Sequence, residues 1–243
     1  MIYLYAIADQ PEAPLPDLTG LEDNPLFSLA DGDIAAVVST LSEANGRTAP
    51  KPVDTNLWQH EAVLEALMNN HSVLPVSYGA TFANEAALKD ELATHHASFV
   101  AGLNRIRGRV EFSLRILWEV ESKPHMATDI HKTLVHSRVE PASPATTGRD
   151  YLFSRLEVEH QRQALRRQAE ELVAELHAPL DQVSIEHTHQ ILLTPRMLLK
   201  AAYLVERQHE LDFGQEIKQL SQAYPDLRFL CTGPWPPYNF VAV

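Results

Sequence analysis

Hydrophobic positions in this chain follow two rhythms, one strand-like and one helical. Ile2–Ala8 is a short apolar run rich in β-branched and aromatic residues, which predicts a buried strand. The proline-rich stretch Pro11–Pro25 predicts a surface loop. Asp33–Ser39 (DIAAVVS) predicts a second strand, opened by the turn-forming Asp31-Gly32. Asn45–Pro52 predicts another loop. A helix follows, capped by Thr55 or Asp54 and ending near Asn70. Leu57, Glu61, Leu64 and Met68 recur at its helical spacing, and Val63 and Leu67 widen the apolar face. Val73–Tyr78 predicts a strand in which Pro75 lies where its missing N–H does no harm. Asn84 caps a second helix to about Asn104, with Leu88, Leu92, Phe99 and Leu103 as its apolar positions. Val110–Val120 alternates: Val110, Phe112, Leu114, Ile116 and Trp118 face one side, Glu111, Ser113, Arg115 and Glu119 the other. Residues 1–121 therefore read β-β-α-β-α-β, an α+β sandwich with its helices on one sheet face.

The rhythm breaks at Ser122-Lys123-Pro124. Residues 122–148 read as a linker, with a short helix over Thr128–Ser137 and a loop over Glu140–Gly148. Asp150–His177 is the longest helical stretch. Tyr151, Val158, Leu165 and Leu172 repeat every seven residues, and their partners are Arg155, Arg162, Ala169 and Leu176. Such a seam is polar in its first half and apolar in its second. It predicts a long amphipathic helix that packs on its own domain near its C-terminal end and leaves its first half free to project. Pro179 is expected to end it. Gln182–His189 alternates and predicts a strand. Arg196–Glu206 has a helical composition, yet the order strand, X, helix, strand closes a sheet best if X is a strand. Leu211–Ala223 and Leu227–Cys231 supply that last helix and strand. The fold class is α+β with two domains, residues 1–121 and 149–232, followed by a proline- and aromatic-rich tail, 233–243. The two halves share an order in outline, with Val73–Val120 resembling Met197–Cys231.

Composition narrows the function classes. A formal net charge of −12 argues against a nucleic-acid partner and against an anionic membrane surface. The N-terminal run lacks a basic flank and reads as a strand, not a signal peptide. A single cysteine, Cys231, excludes an internal disulfide, and its apolar run FLC marks a buried, inert thiol. Twelve histidines invite a metal reading. His187 and His189 share one side of a predicted strand, but a site needs a third ligand. His95-His96 point apart, His60-Glu61 opens an HExxH pattern whose fifth position is Leu64, and His125, His131 and His136 scatter around a loop. Phosphate-binding and nucleophile-elbow motifs are absent. Glu157, Glu159, Glu170, Glu171 and Glu175 read as a solvated helix face beside Arg162, Arg166 and Arg167. The sequence therefore predicts no catalytic, cofactor-binding or metal-binding residues, and a non-enzyme.

The ending GPWPPYNF, Gly233–Phe240, is unusual for a terminus. Pro234, Pro236 and Pro237 hold the backbone extended and outside any interior sheet. Trp235, Tyr238 and Phe240 supply large apolar area on a backbone that loses little entropy on docking. These three are candidates for docking the tail onto its own chain or for engaging a partner.

MIYLYAI at the start, NLWQHEAVLEAL followed by VLPVSYGATF, VEFSLRILWEV, GRDYL, MLLKAAYLVE and FLCTGPWPPYNFV occur in an order that resembles the GvpF/GvpL family of gas vesicle proteins. Lys200 departs from the Asn expected before AAYLV. The resemblance implies two α+β domains, the first a variant ferredoxin-like sandwich and the second carrying a long helical element. It also implies a minor, non-enzymatic gas vesicle component required for vesicle formation, located on gas vesicles within the cytoplasm. The implied partners are the hydrophobic shell protein GvpA, kept from aggregating or guided into assembly, and other accessory Gvp proteins. A small-molecule-binding regulatory module is the alternative reading of the same fold.

Overall fold

All eight residues of the first strand, β1 (Ile2–Asp9), are buried. Both faces of this strand are therefore covered, which explains why it reads as a continuous apolar run without alternation. A computed structural model describes residues 1–10, 14–42, 54–118, 148–194 and 196–241. The expected helix at Thr128–Ser137 and the expected loop at Asn45–Pro52 lie outside the described residues.

β1 is an inner strand of the first sheet. It pairs antiparallel with β3 (Ile34–Thr40), which pairs antiparallel with β2 (Phe27–Asp31), giving the order β2-β3-β1-β4 with β4 at Val73–Pro75. The two-residue β5 (Thr81–Phe82) also pairs with β1. The sequence signal located the Asp31-Gly32 turn but missed β2, where only Leu29 is fully buried. Gly32 adopts φ 62° in this hairpin turn, a conformation that favours glycine. β4 is shorter than the expected Val73–Tyr78, and its Pro75 sits opposite Ala6 on the terminal strand of the order.

A bulge between Leu4 and Ala6 shifts the register of β1. It puts Ile2, Leu4 and Ile7 into one cluster with Leu88, Leu92, Phe99 and Leu103 of α2 (Glu85–Ile106). Tyr3 and Tyr5 meet His60 of α1 (Asp54–Leu67) instead. The two helices therefore cover opposite faces of the sheet, which corrects the expected one-sided sandwich. Asn84 caps α2 as expected, accepting from Ala87 N–H at 2.9 Å. α1 starts at Asp54 and ends three residues before the expected Asn70. Its inward positions are His60, Val63, Leu64 and Leu67, while Leu57 is exposed.

Two compact units divide the chain: Met1–Glu111 together with Pro234–Val243, and Phe112–Gly233. The division falls inside β6 (Arg109–Trp118), not near residue 121. β6 has the expected alternation, with Val110, Phe112, Leu114, Ile116 and Trp118 buried, but it joins the second sheet, whose order is β7-β8-β6-β9. Alternation identifies a strand and is silent about its neighbours.

In the second unit α3 runs from Gly148 to Asp181. Arg155 and Arg162 are exposed, whereas Leu165, Ala169, Leu172, Val173, Leu176 and Leu180 are buried. Pro179 lies inside its last turn and does not stop it, because burial of Leu176 and Leu180 on either side of the proline holds that turn in place. β7 (Glu186–Ile191) pairs antiparallel with β8 (Met197–Glu206), so the ambiguous Arg196–Glu206 run is a strand. α4 (Glu210–Ala223) buries Phe213, Ile217 and Leu220. β9 (Leu227–Trp235) continues four residues past the expected Cys231 and takes Pro234 into the terminal strand of the order, where a missing N–H is tolerated.

The two sheets place their strands alike. In each, the first strand is internal, a hairpin lies on one side and the last strand on the other. The repeat thus relates β1–β4 to β6–β9, in place of the expected match of Val73–Val120 to Met197–Cys231.

Candidate functional site

The tail belongs to the first unit. Tyr238–Phe240 forms a short 3-10 turn, and Phe240 is buried. The Tyr238 hydroxyl donates to Glu61 of α1 at 3.1 Å. Asn239 donates twice to the carboxylate of Glu111, from its backbone N–H at 2.8 Å and from Nδ2 at 2.6 Å. Glu111 is only 3% exposed, so this paired acceptance compensates a buried carboxylate. Burial, then the Glu61 charge, pushes the Tyr238 phenol far up and keeps it a donor. Burial raises the Glu61 carboxyl, the Tyr238 hydroxyl opposes that rise, and Glu65 adds to it. Trp235 ends β9 half-buried. Trp235, Tyr238 and Phe240 are thus placed with the N-terminal part of the chain.

Under α1 a closed polar chain runs through the first unit. Gly79 N–H donates to the Tyr3 hydroxyl at 3.1 Å, and that hydroxyl lies 2.9 Å from His60 Nδ1. His60 Nε2 lies 3.1 Å from the Val76 carbonyl. Because a carbonyl only accepts, Nε2 carries the proton and Nδ1 accepts from Tyr3. Burial lowers the His60 pKa to about 4, which keeps the ring neutral. This is a satisfied core histidine, the outcome that the broken HExxH pattern left open.

The second unit gathers three histidines. His177 comes from α3, His187 and His189 from β7, and one ring nitrogen from each lies within 4.8 Å of the others. The His177 ring stacks on His187 with centroids 4.3 Å apart and lies 4.5 Å from His189. His177 Nδ1 hydrogen-bonds the Tyr203 hydroxyl of β8. His187 Nδ1 lies 2.7 Å from Asp181 Oδ1 at the end of α3. His177 Nε2 is buried with no hydrogen-bond partner among the described residues. Burial, then His187 and His189, pushes the His177 pKa down to about 3. The sequence placed His187 and His189 on one side of a strand but offered no third ligand. His177 supplies it because the turn after Asp181 folds the strand back beside the helix end, a proximity that no linear spacing encodes.

Elsewhere, Cys231 is half-buried, less than the full burial expected from its apolar run, and that burial raises its thiol to about 11. On α1, Trp58 is 72% exposed, next to the exposed Leu57. The neighbouring Gln59 donates to the Thr19 carbonyl, beside the exposed Leu18. Among the described residues, no helix is long and apolar enough to cross a membrane.

The family model described as Gas vesicle synthesis protein GvpL/GvpF matches residues 1–242. Gas vesicle protein L of a Streptomyces species is 28% identical, covering 99% of this chain and 92% of that protein. Gas vesicle protein F of Haloferax mediterranei is 25% identical, covering 100% and 93%. The crystal structure of the gas vesicle protein GvpF from Anabaena sp. PCC7120 superposes with a TM-score of 0.77 at 20% identity, covering 100% of this chain and 96% of that one, and shares its fold.

Proposed function

This chain belongs to the gas vesicle synthesis protein GvpL/GvpF family, and from that premise we propose that it is a non-enzymatic accessory component of gas vesicle formation. It binds the small hydrophobic shell protein GvpA, keeps it from aggregating, and delivers it to the growing shell alongside other accessory Gvp proteins, within the cytoplasm. The match across residues 1–242 carries this reading.

Two features give it a physical basis. A formal net charge of −12 keeps a carrier dispersed while it holds an apolar client. Trp58, Leu57 and Leu18 are exposed apolar side chains of the first unit, and a large exposed aromatic is the kind of group that anchors an interface. The architecture that presents them is a two-domain α+β fold. The order β6-α3-β7-β8-α4-β9 supports reading the second domain as ferredoxin-like. The first domain is its variant, with no helix among the described residues between β1 and β2 beyond the 3-10 turn Leu21–Asp23. α3 is the long amphipathic element. In this reading Trp235, Tyr238 and Phe240 strap the tail to its own domain and leave partner binding to other surfaces.

Co-expression with the shell protein tests the proposal. The wild-type chain is expected to hold the shell protein in the soluble fraction and to co-purify with it. Trp58→Ser combined with Leu57→Ser keeps the melting temperature within a few degrees and loses most of that co-purification. A chain that neither binds nor solubilises the shell protein refutes the carrier role.

A further inference from the structure

We propose that His177, His187 and His189 form a binding site for one divalent late-transition cation of the zinc class. The site stands on the geometry of the second unit and does not depend on the vesicle reading. One ring nitrogen from each of the three imidazoles lies within 4.8 Å of the others. Zinc–nitrogen bonds of about 2.0–2.1 Å in a tetrahedral site put ligand nitrogens about 3.4 Å apart, so no pair of nitrogens has to close by more than about 1.4 Å on binding. His189 is exposed and His187 half-exposed, which leaves both free to make that small rotation.

Hydrogen bonding has already set the tautomers that a metal needs. The Asp181 carboxylate can only accept, so His187 Nδ1 donates to it and Nε2 keeps its lone pair. His177 Nδ1 engages the Tyr203 hydroxyl, and with that nitrogen as donor its Nε2 lone pair is also free. His177 is 4% exposed and its Nε2 has no hydrogen-bond partner among the described residues. A buried polar nitrogen left unpaired is costly, and a cation at that point removes the cost. A carboxylate–histidine–metal relay and an oriented buried histidine are the outer shell that ligating histidines show.

The donor set selects the cation. Three neutral imidazoles suit zinc, nickel or copper and lack the oxygen ligands that magnesium and calcium demand. Three protein ligands leave a fourth position for water at the exposed side of His189. The bound ion would join the end of α3 to β7, the terminal strand of the second sheet.

Titration of the metal-stripped full chain with zinc alone, followed by calorimetry and thermal unfolding, tests the site. One zinc per chain is expected, with a rise in melting temperature that magnesium does not reproduce. His189→Ala removes an exposed ligand without disturbing the core and is expected to weaken binding at least tenfold. Tyr203→Phe and Asp181→Asn weaken it about 10–100-fold through the outer shell. His95→Ala with His96→Ala, on α2, leaves binding unchanged and controls for adventitious histidine–zinc contacts. Zinc affinity in His189→Ala within twofold of wild type, or an equal stabilisation by magnesium, overturns the proposal.

Discussion

His60 and His177 are both buried, and they differ in one nitrogen. His60 has Tyr3 on Nδ1 and Val76 on Nε2, so its neutral ring is fully satisfied. Among the described residues, His177 has a partner on Nδ1 alone. The His60 environment has a pH consequence. Burial lowers its pKa from 6.5 to about 4, so below 6.5 the unfolded chain takes up a proton that the folded chain refuses. This histidine's contribution to stability is complete above pH 6.5 and is lost as pH falls toward 4. Urea unfolding at pH 7.5 and pH 5 is expected to show about 2 kcal/mol of loss from this group. His60→Gln keeps a donor and an acceptor but cannot titrate, and its stability should fall by about that much less between the two pH values. An unchanged pH dependence would place the acid sensitivity elsewhere. The sequence showed His60 within a helix but not that it points inward. The apolar spacing favoured Leu57, which is exposed, because a buried polar group held by tyrosine and backbone partners contributes nothing to an apolar count.

Periodicity fixes the type of an element more readily than its partners. It recovered β1, α1, α2 and β6 as elements, together with the Asn84 cap, whereas β8 follows from the order of its neighbours and not from its own pattern. It missed β2, an edge strand with one fully buried side chain, and it gave β6 to the wrong sheet. Local rules also overestimated Pro179, whose missing N–H removes one bond in a terminal turn while Leu176 and Leu180 stay buried. The tail shows the same limit. Its aromatics marked it as a docking segment, yet Asn239, whose two donors meet Glu111, carried no signal in one dimension. Asn239→Ala is expected to destabilise the chain by about 1.5–3 kcal/mol, since its partner is a buried charged acceptor. Glu111→Gln should cost a similar amount. In a double-mutant cycle read by urea denaturation, the pair should couple by more than about 1 kcal/mol. Additive losses would show that the two side chains act separately.

The first unit is assembled from both ends of the chain. Met1–Glu111 supplies its sheet and helices, and Pro234–Val243 returns to it from the far terminus, whereas Phe112–Gly233 is continuous. Truncation after Gly233 therefore tests the organisation of the whole molecule. It strips Glu111 of both Asn239 donors, removes the Tyr238 bond to Glu61, and uncovers the surface against which Phe240 is buried. Burying a phenylalanine is worth about 1.5–3 kcal/mol, and loss of the two Asn239 donors to the buried Glu111 carboxylate adds to that. Losses of that size are a large fraction of the stability of an ordinary domain. The bonds of Tyr238 and Asn239 and the burial of Phe240 lie in the first unit, while β9 loses only Pro234 and Trp235 from its end, so hydrogen exchange in the truncated chain should accelerate most in β1, β3 and α1. Amides of β7, β8 and α4 should keep their wild-type protection, because the second unit retains all of Phe112–Gly233. Equal acceleration in both sets of amides would mean that the two units unfold as one cooperative body, and that the tail stabilises the entire molecule instead of the unit that it closes.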